Sequence, residues 1–258
     1  MGRTLLMIHG VGCGGEVWAP WRAQFEAAGY RCETPTLFPE LRTAEDPPAA
    51  LADLTLQDYV TEMGQVAQDL FAEEGQRPII IGHSMGGLIA QKLCAQGLSQ
   101  AGIFVTPAQP AGCTVTDLRV VRTFWSILKV GQKNIPGGVF KVGPNGFRWG
   151  VLNAVPKHRH EEIYAGAIYD SGRVYEALGQ PETLDESKVQ VPTLTLGAKK
   201  DRATVIKAVR NVAQKYARSE PPGSYIEYPR HAHWILDEPG SDQVARDILT
   251  WLEQSLVD

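Results

Sequence analysis

The sequence predicts an α/β protein: a mostly parallel sheet of about six strands, flanked by helices and interrupted by one helical insertion. Three observations predict it. Short aliphatic runs, Leu5-Leu6-Met7-Ile8 and Ile79-Ile80-Ile81 among them, have the length and composition of strands buried on both faces. Segments of helical periodicity alternate with those runs. The alternation stops once, after Pro110, and resumes near Val191.

The elements follow in order. Residues 3–9 form a strand that stops at a glycine-rich turn, and 18–28 form a helix that ends at Gly29. Residues 30–34 are a second strand, broken by Pro35, and a loop follows through Pro39, Pro47 and Pro48. Thr55, with Asp58 three residues on, marks a capped helix start, and Val60, Met63, Val66, Ala67, Leu70 and Phe71 keep helical spacing up to Gly75. Residues 78–82 are a compact strand, 88–95 the body of a helix ended near Gly97, and 101–105 another strand. From 113 to 187 the chain reads as a cap inserted into the core made by 1–112 and 188–258. Within it, 116–130 and 161–178 are expected as helices around a Gly/Pro-rich stretch at 131–156, with no strand-like run of comparable quality. Residues 191–197 then give a strand, 203–218 a helix, 225–228 a strand and 241–256 a final amphipathic helix.

Composition bounds the function. A chain of 258 residues, 43% hydrophobic and 21% charged, can bury a core without a covalent staple. A net charge of −4 argues against nucleic acid as a partner. No uncharged apolar run is long enough for a membrane span, and the first residues lack a secretory pattern, so a cytoplasmic protein is expected. Cys13, Cys32, Cys94 and Cys113 form no Cys-x-x-Cys pair and have no histidine at metal-ligand spacing, which predicts reduced, mostly buried thiols. No motif bears on oligomeric state.

The sharpest chemical signal is Gly82-His83-Ser84-Met85-Gly86-Gly87, between a predicted strand and a predicted helix. Such a turn strains the serine backbone and projects its hydroxyl outward, and the glycines flank it because side chains there would collide. A serine hydroxyl needs a base within hydrogen-bond reach. His9 ends the first strand, His83 adjoins the serine, and His158 and His160 sit in a basic turn. His231 and His233 remain, just after the last predicted strand; His233 is preferred because the apolar Trp234-Ile235-Leu236 can anchor it, with His231 as the alternative. Asp201, shortly past a strong strand, is the candidate carboxylate to fix the imidazole tautomer, with Asp237 and Asp117 as competitors. After the first strand, His9-Gly10-Val11-Gly12 can aim a backbone N–H at a developing oxyanion, so Val11 and Met85 are the candidate backbone donors.

With these residues assembled, the chain resembles the α/β-hydrolase superfamily, in its small esterase, lactonase and C–C hydrolase branch with a helical cap. The order Ser84, Asp201, His233 is the order this fold uses. Two departures stand out: the chain begins on the His-Gly strand, where relatives carry two strands before it, and Ala232 precedes the histidine where relatives tend to have glycine. The resemblance implies a serine hydrolase acting on a small-to-medium hydrophobic carboxylic ester or lactone through an acyl-enzyme on Ser84, with no metal or organic cofactor. The same triad supports C–C bond hydrolysis, and the same fold serves as a non-catalytic ligand receptor; haloalkane and epoxide hydrolysis are disfavoured by serine at position 84. In the insertion, Phe124, Trp125, Phe140, Phe147, Trp149, Tyr164 and Tyr169 are expected to form a small core more than a substrate wall. A rival of another class is the dinucleotide-binding fingerprint formed by Gly10, Gly12 and Gly15, with Glu33 on the next strand.

Overall fold

The structure, a computed structural model, describes residues 3–134 and 137–256. Residues 135–136, inside the expected Gly/Pro-rich stretch, lie outside it, as do the first and last two residues. The chain begins with β1 (Thr4–Ile8), a 3₁₀ turn (Gly15–Trp18) running into α1 (Ala19–Ala27), and β2 (Arg31–Glu33). Then come α2 (Leu56–Glu74), β3 (Ile79–His83), α3 (Met85–Ala95) and β4 (Ala101–Val105). Helix α2 starts where expected: the Thr55 hydroxyl accepts from the Asp58 N–H while Asp58 accepts from the Thr55 N–H, and Gly75 closes the helix in the left-handed region.

The intervening segment is more broken than its pattern suggests. It contains α4 (Leu118–Thr123), α5 (Trp125–Asn134), β5 (Val139–Phe140), α6 (Pro144–Gly146) with a π-helical turn (Phe147–Val151), α7 (His160–Ala165), β6 (Asp170–Ser171) and α8 (Gly172–Gly179). The single helix expected over 161–178 is therefore two. Helix α7 ends near Gly166, and Asp170–Ser171 pair antiparallel with Val139–Phe140 before the Ser171 hydroxyl caps α8. Two-residue strands leave no periodic trace, so this small sheet had no signal in the sequence. The chain ends with β7 (Thr193–Ala198), α9 (Ile206–Tyr216), β8 (Ser224–Tyr228) and α10 (Ser241–Ser255).

The six strands of the main sheet run in the order β2-β1-β3-β4-β7-β8, and every pairing is parallel. Side chains alternate between two apolar layers, as strand geometry requires. Leu6, Ile8, Ile80 and Phe104 meet α2, α3 and α9; Leu5, Met7, Ile79, Ile81 and Ile103 meet α1 and α10. A third cluster joins Phe140, Phe147, Val151 and Leu152 of the segment to Cys13 and Trp234 of the core. All strands point the same way, so the loops after β1, β3, β4, β7 and β8 gather at one end of the sheet, where α/β proteins build their sites.

Candidate active site

Ser84 stands on the turn from β3 into α3 with φ 55° and ψ −118°, a left-handed-side backbone that a non-glycine residue adopts only at a cost of about 1–3 kcal/mol. The neighbouring glycines show why the turn is so tight. A Cβ on Gly82 would lie 2.0 Å from the Gly86 carbonyl oxygen, and one on Gly86 would lie 2.1 Å from that of Ile8. The Ser84 N–H donates to Val105, and the Ser84 carbonyl accepts from Gly87, Leu88 and Ala108, so the serine is held to β4 and to its own helix.

Three loops bring Ser84, His233 and Asp201 into one hydrogen-bonded line. His233 Nε2 lies 3.1 Å from Ser84 Oγ, and His233 Nδ1 lies 2.8 Å from Asp201 Oδ2. Asp201 is fully buried after β7 and its carboxylate is saturated: Oδ1 accepts from the N–H groups of Ala203 and Thr204 at 2.7 and 2.8 Å. The Thr204 hydroxyl lies 2.8 Å from Asp201 Oδ2 and 2.9 Å from the Thr106 carbonyl oxygen, and it is 3.3 Å from His233 Nδ1. Each contact fixes the carboxylate that faces the imidazole.

The other candidates go elsewhere. His231 turns away, with Nδ1 3.2 Å from Glu238 Oε2, and its carbonyl accepts from Lys200. Ala232 is fully buried and its N–H donates to Glu238 at 2.7 Å, so the alanine is accommodated before His233. Asp237 pairs with Arg159 at 2.6 Å, and Asp117 caps α4 and pairs with Arg119. His158 is exposed, and His160 contacts the Val155 carbonyl.

Two histidines that sequence reasoning left without a role frame the site. His83 Nε2 donates to the His233 carbonyl at 2.8 Å, the rings lying 4.8 Å apart, so His83 fixes the loop that carries His233. Burial pulls the His83 imidazole down to about 3 and the proximity of His233 acts the same way, so it is neutral at pH 7. His9 accepts from the Leu37 N–H through Nε2 and donates to the Gly10 carbonyl through Nδ1; burial lowers it to about 4.

The loop after β1 lies directly over the serine: a Cβ on Gly10 would be 3.1 Å from Ser84 Cβ. Val11 lines the cavity beside Ser84, and Met85 is the first residue of α3, whose N-terminus faces that loop. The loop is pinned by Asp170, a residue with no signal in the sequence. Its carboxylate accepts from the Gly12 N–H at 3.0 Å and from the Tyr59 hydroxyl at 2.5 Å, and it pairs with Arg42 at 3.0 Å; all are buried. Burial and the Asp170 charge push the Tyr59 hydroxyl far up, so it remains a donor. The dinucleotide reading loses its ground here. The N–H groups of Gly12, Gly14 and Gly15 donate to Asp170, Glu16 and Thr36, leaving none of the three for a pyrophosphate, and Glu33 pairs with Arg31.

A cavity of about 510 Å³ opens over Ser84, walled by Val11, Val120, Phe124, Ile127, Tyr175 and Leu178. Glu176 is the one acidic or basic side chain in its lining. On the other side of Ser84 is a recess of about 30 Å³ beside Cys13, Phe147, His233 and Trp234. Burial raises the Cys13 thiol to about 12, so it is a protonated thiol at pH 7. The insertion's aromatics divide their duties. Phe140, Phe147 and Tyr164 pack in the small core, Phe124 faces the cavity, and Trp149 lies between the guanidinium groups of Arg122 and Arg202 at 4.1 and 4.4 Å. All four cysteines are free and buried. No helix among the described residues is long and apolar enough to cross a membrane.

A model of the alpha/beta hydrolase family matches residues 5–247. A search of curated proteins finds no significant match. Among solved structures, a methylesterase from Arabidopsis is similar at 15% identity and TM-score 0.73, covering 97% of this chain and 99% of its own. A pyrethroid hydrolase from Sphingobium faniae is similar at 19% identity and TM-score 0.72, over 98% of each chain. A monoacylglycerol lipase from Paleococcus ferrophilus is similar at 16% identity and TM-score 0.70, over 99% of this chain and 97% of its own. At such identities the likeness is one of fold.

Proposed function

Since this chain belongs to the alpha/beta hydrolase family, we propose that it is a serine hydrolase that cleaves a small-to-medium hydrophobic carboxylic ester or lactone through an acyl-enzyme on Ser84. The observation that carries the reading is the line Ser84–His233–Asp201 on the floor of an apolar cavity. His233 takes the serine proton as Ser84 attacks the acyl carbon, and Asp201 holds the Nδ1–H tautomer and steadies the imidazolium. The tetrahedral anion rests on the backbone N–H groups of Val11 and Met85. His233 then protonates the leaving alkoxide, and water repeats the sequence on the acyl-enzyme. The chemistry calls on no metal or organic cofactor. Residues 113–187 act as a cap that encloses the substrate; the aliphatic wall and the absence of a basic group in the lining favour a neutral, apolar acyl or alcohol portion.

The test is covalent labelling of the purified protein by a fluorophosphonate probe with peptide mapping, followed by a panel of esters and lactones. Labelling on the peptide carrying Ser84 is expected. Ser84→Ala should lose it and lower turnover by roughly 10⁵-fold or more, with the melting temperature little changed. Folded protein that takes no label would overturn the nucleophile reading and bring forward a ligand receptor of the same fold. Likeness to the named methylesterase, pyrethroid hydrolase and lipase adds weight to ester cleavage without selecting among their substrates.

A further inference from the structure

Helices α4 and α5 form the roof of the cavity, and their outer side is unusual. Six large hydrophobic side chains are exposed among the described residues, and four stand on these two helices: Leu118 (83%), Trp125 (59%), Leu128 (43%) and Val121 (36%). The spacing 118, 121, 125, 128 is that of one helical stripe. The joint between the helices keeps it continuous, because Phe124 donates to Val120 and Leu128 donates to Phe124. The stripe also runs into the cavity: Val121 and Leu128 are both exposed and part of its lining, while Val120, Phe124 and Ile127 face it from the inner side. An apolar patch of this kind on a monomer marks a place where something docks.

Charge says what docks. Arg119, Arg122 and Lys129 each directly follow a residue of the stripe and are exposed, so a basic row borders the apolar one. From 113 to 160 the sequence carries eight Lys and Arg against one acid, Asp117, a balance of +7; the whole chain is −4, which leaves the remainder at −11. Helices α4 and α5 themselves carry Arg119, Arg122, Lys129 and Lys133 and no acid, with Asp117 paired to Arg119 at the start of α4, and such a basic element on a chain of net charge −4 is drawn toward an anionic surface. Exposed apolar side chains along one helical stripe with a tryptophan among them and cations at the border are the chemistry of a helix lying in a lipid–water interface.

We propose that α4 and α5 dock this protein, reversibly and without a spanning helix, on an anionic lipid surface, with the mouth of the cavity opening onto that surface. Apolar substrate dissolved in the lipid then reaches the cavity along Val121 and Leu128 without crossing water. The docking stands apart from the reading of Ser84 as a nucleophile, since it requires binding and not turnover.

The experiment is sedimentation of the full chain with vesicles of pure phosphatidylcholine and of phosphatidylcholine mixed with phosphatidylserine, alongside size-exclusion chromatography over a range of protein concentrations. Preferential pelleting with the serine-lipid vesicles, weakened by salt, is expected. The double variant Leu118→Ser with Trp125→Ser should reduce it by about tenfold or more, while keeping fluorophosphonate labelling and the melting transition. Lys129→Glu, which keeps the stripe, should lower the preference for anionic vesicles and leaves the test intact if the double variant does not fold. Protein that stays in the supernatant with both vesicle types overturns the proposal. So does pelleting that both variants leave unchanged, and so does a concentration-dependent dimer that the double variant abolishes, which would assign the stripe to a second copy of the chain. Labelling of Ser84 is read separately, so failure of docking and failure of the hydrolase reading are distinguishable.

Discussion

In β1, β3 and β4 every side chain is buried and successive residues divide between two apolar layers, whereas the segment between β4 and β7 lends Cys113, Val174, Leu184 and Val189 to one of those layers, keeps one smaller cluster with Cys13 and Trp234, and leaves Leu118 and Trp125 in solvent. The sheet is held by many equivalent contacts. The segment is held by a few particular ones: Asp170 on Arg42, Tyr59 and Gly12; Trp149 between Arg122 and Arg202; Arg159 on Asp237, four residues past His233. Those few ties run to the loops that carry the candidate site. A lost contact in the sheet should therefore lower stability and spare the site, and a lost tie in the segment should disturb the site as well.

The largest expected effect is that of Asp170→Ala. It strands a buried Arg42 and frees the Gly12 N–H, so the loss should be about 3–5 kcal/mol in urea unfolding, with slower labelling of Ser84 in the protein that remains folded. Unchanged labelling would erase the distinction between the two regions. Ile81→Ala, beneath the same elbow but in the sheet, should cost about 2–5 kcal/mol while the folded fraction labels at the original rate. Trp149→Leu should cost only about 1–2 kcal/mol, but hydrogen exchange should rise in α4 more than in β3.

A pH series sharpens the comparison from the sheet side. His9 and His83 stay neutral in the fold, with His9 lowered to about 4 and His83 to about 3, while in the unfolded chain each titrates near its ordinary value of 6.5. Between those limits the unfolded state binds protons that the native state refuses. Their contribution is present above about 6.5 and is lost as pH falls toward 4. Unfolding free energy measured from pH 7 to pH 4 should therefore fall, and His9→Gln should reduce that slope by about one proton, or roughly 1.4 kcal/mol per pH unit. An unaltered slope would mean that His9 is not the neutral acceptor described.

The same contrast explains what could be read in advance. Buried parallel strands write themselves as aliphatic runs, and the elbow is a local motif, so β1, β3, β4 and Ser84 were legible from adjacent residues alone. Asp201 and His233 were singled out through chain order and position after strands, and His233 was preferred for the apolar residues that follow it; what adjacent residues did not show is that Glu238, seven residues on, takes His231. Asp170 was invisible because its partners, Arg42, Tyr59 and Gly12, lie more than a hundred residues away and the two-residue strand that carries it has no period. His83 could have been found: a histidine inside the elbow has no aqueous partner within reach and must donate to a loop brought over it, here that of His233. The stripe on α4 and α5 looked like an ordinary helix pattern, since sequence does not say which apolar face will be covered.

The spacing of the Ser84–His233 hydrogen bond, 149 residues along the chain, has a consequence for synthesis. At 5–20 residues per second, a ribosome makes the elbow about 7–30 s before the imidazole that faces it. Asp201, just past β7, precedes β8 in the chain, whereas His233 follows β8 and can face the serine only once β8 has joined β7. On the proposed reading, the nascent chain passes through the cell with its nucleophile disarmed, and a chain cut short anywhere before residue 233 is inert rather than partly active.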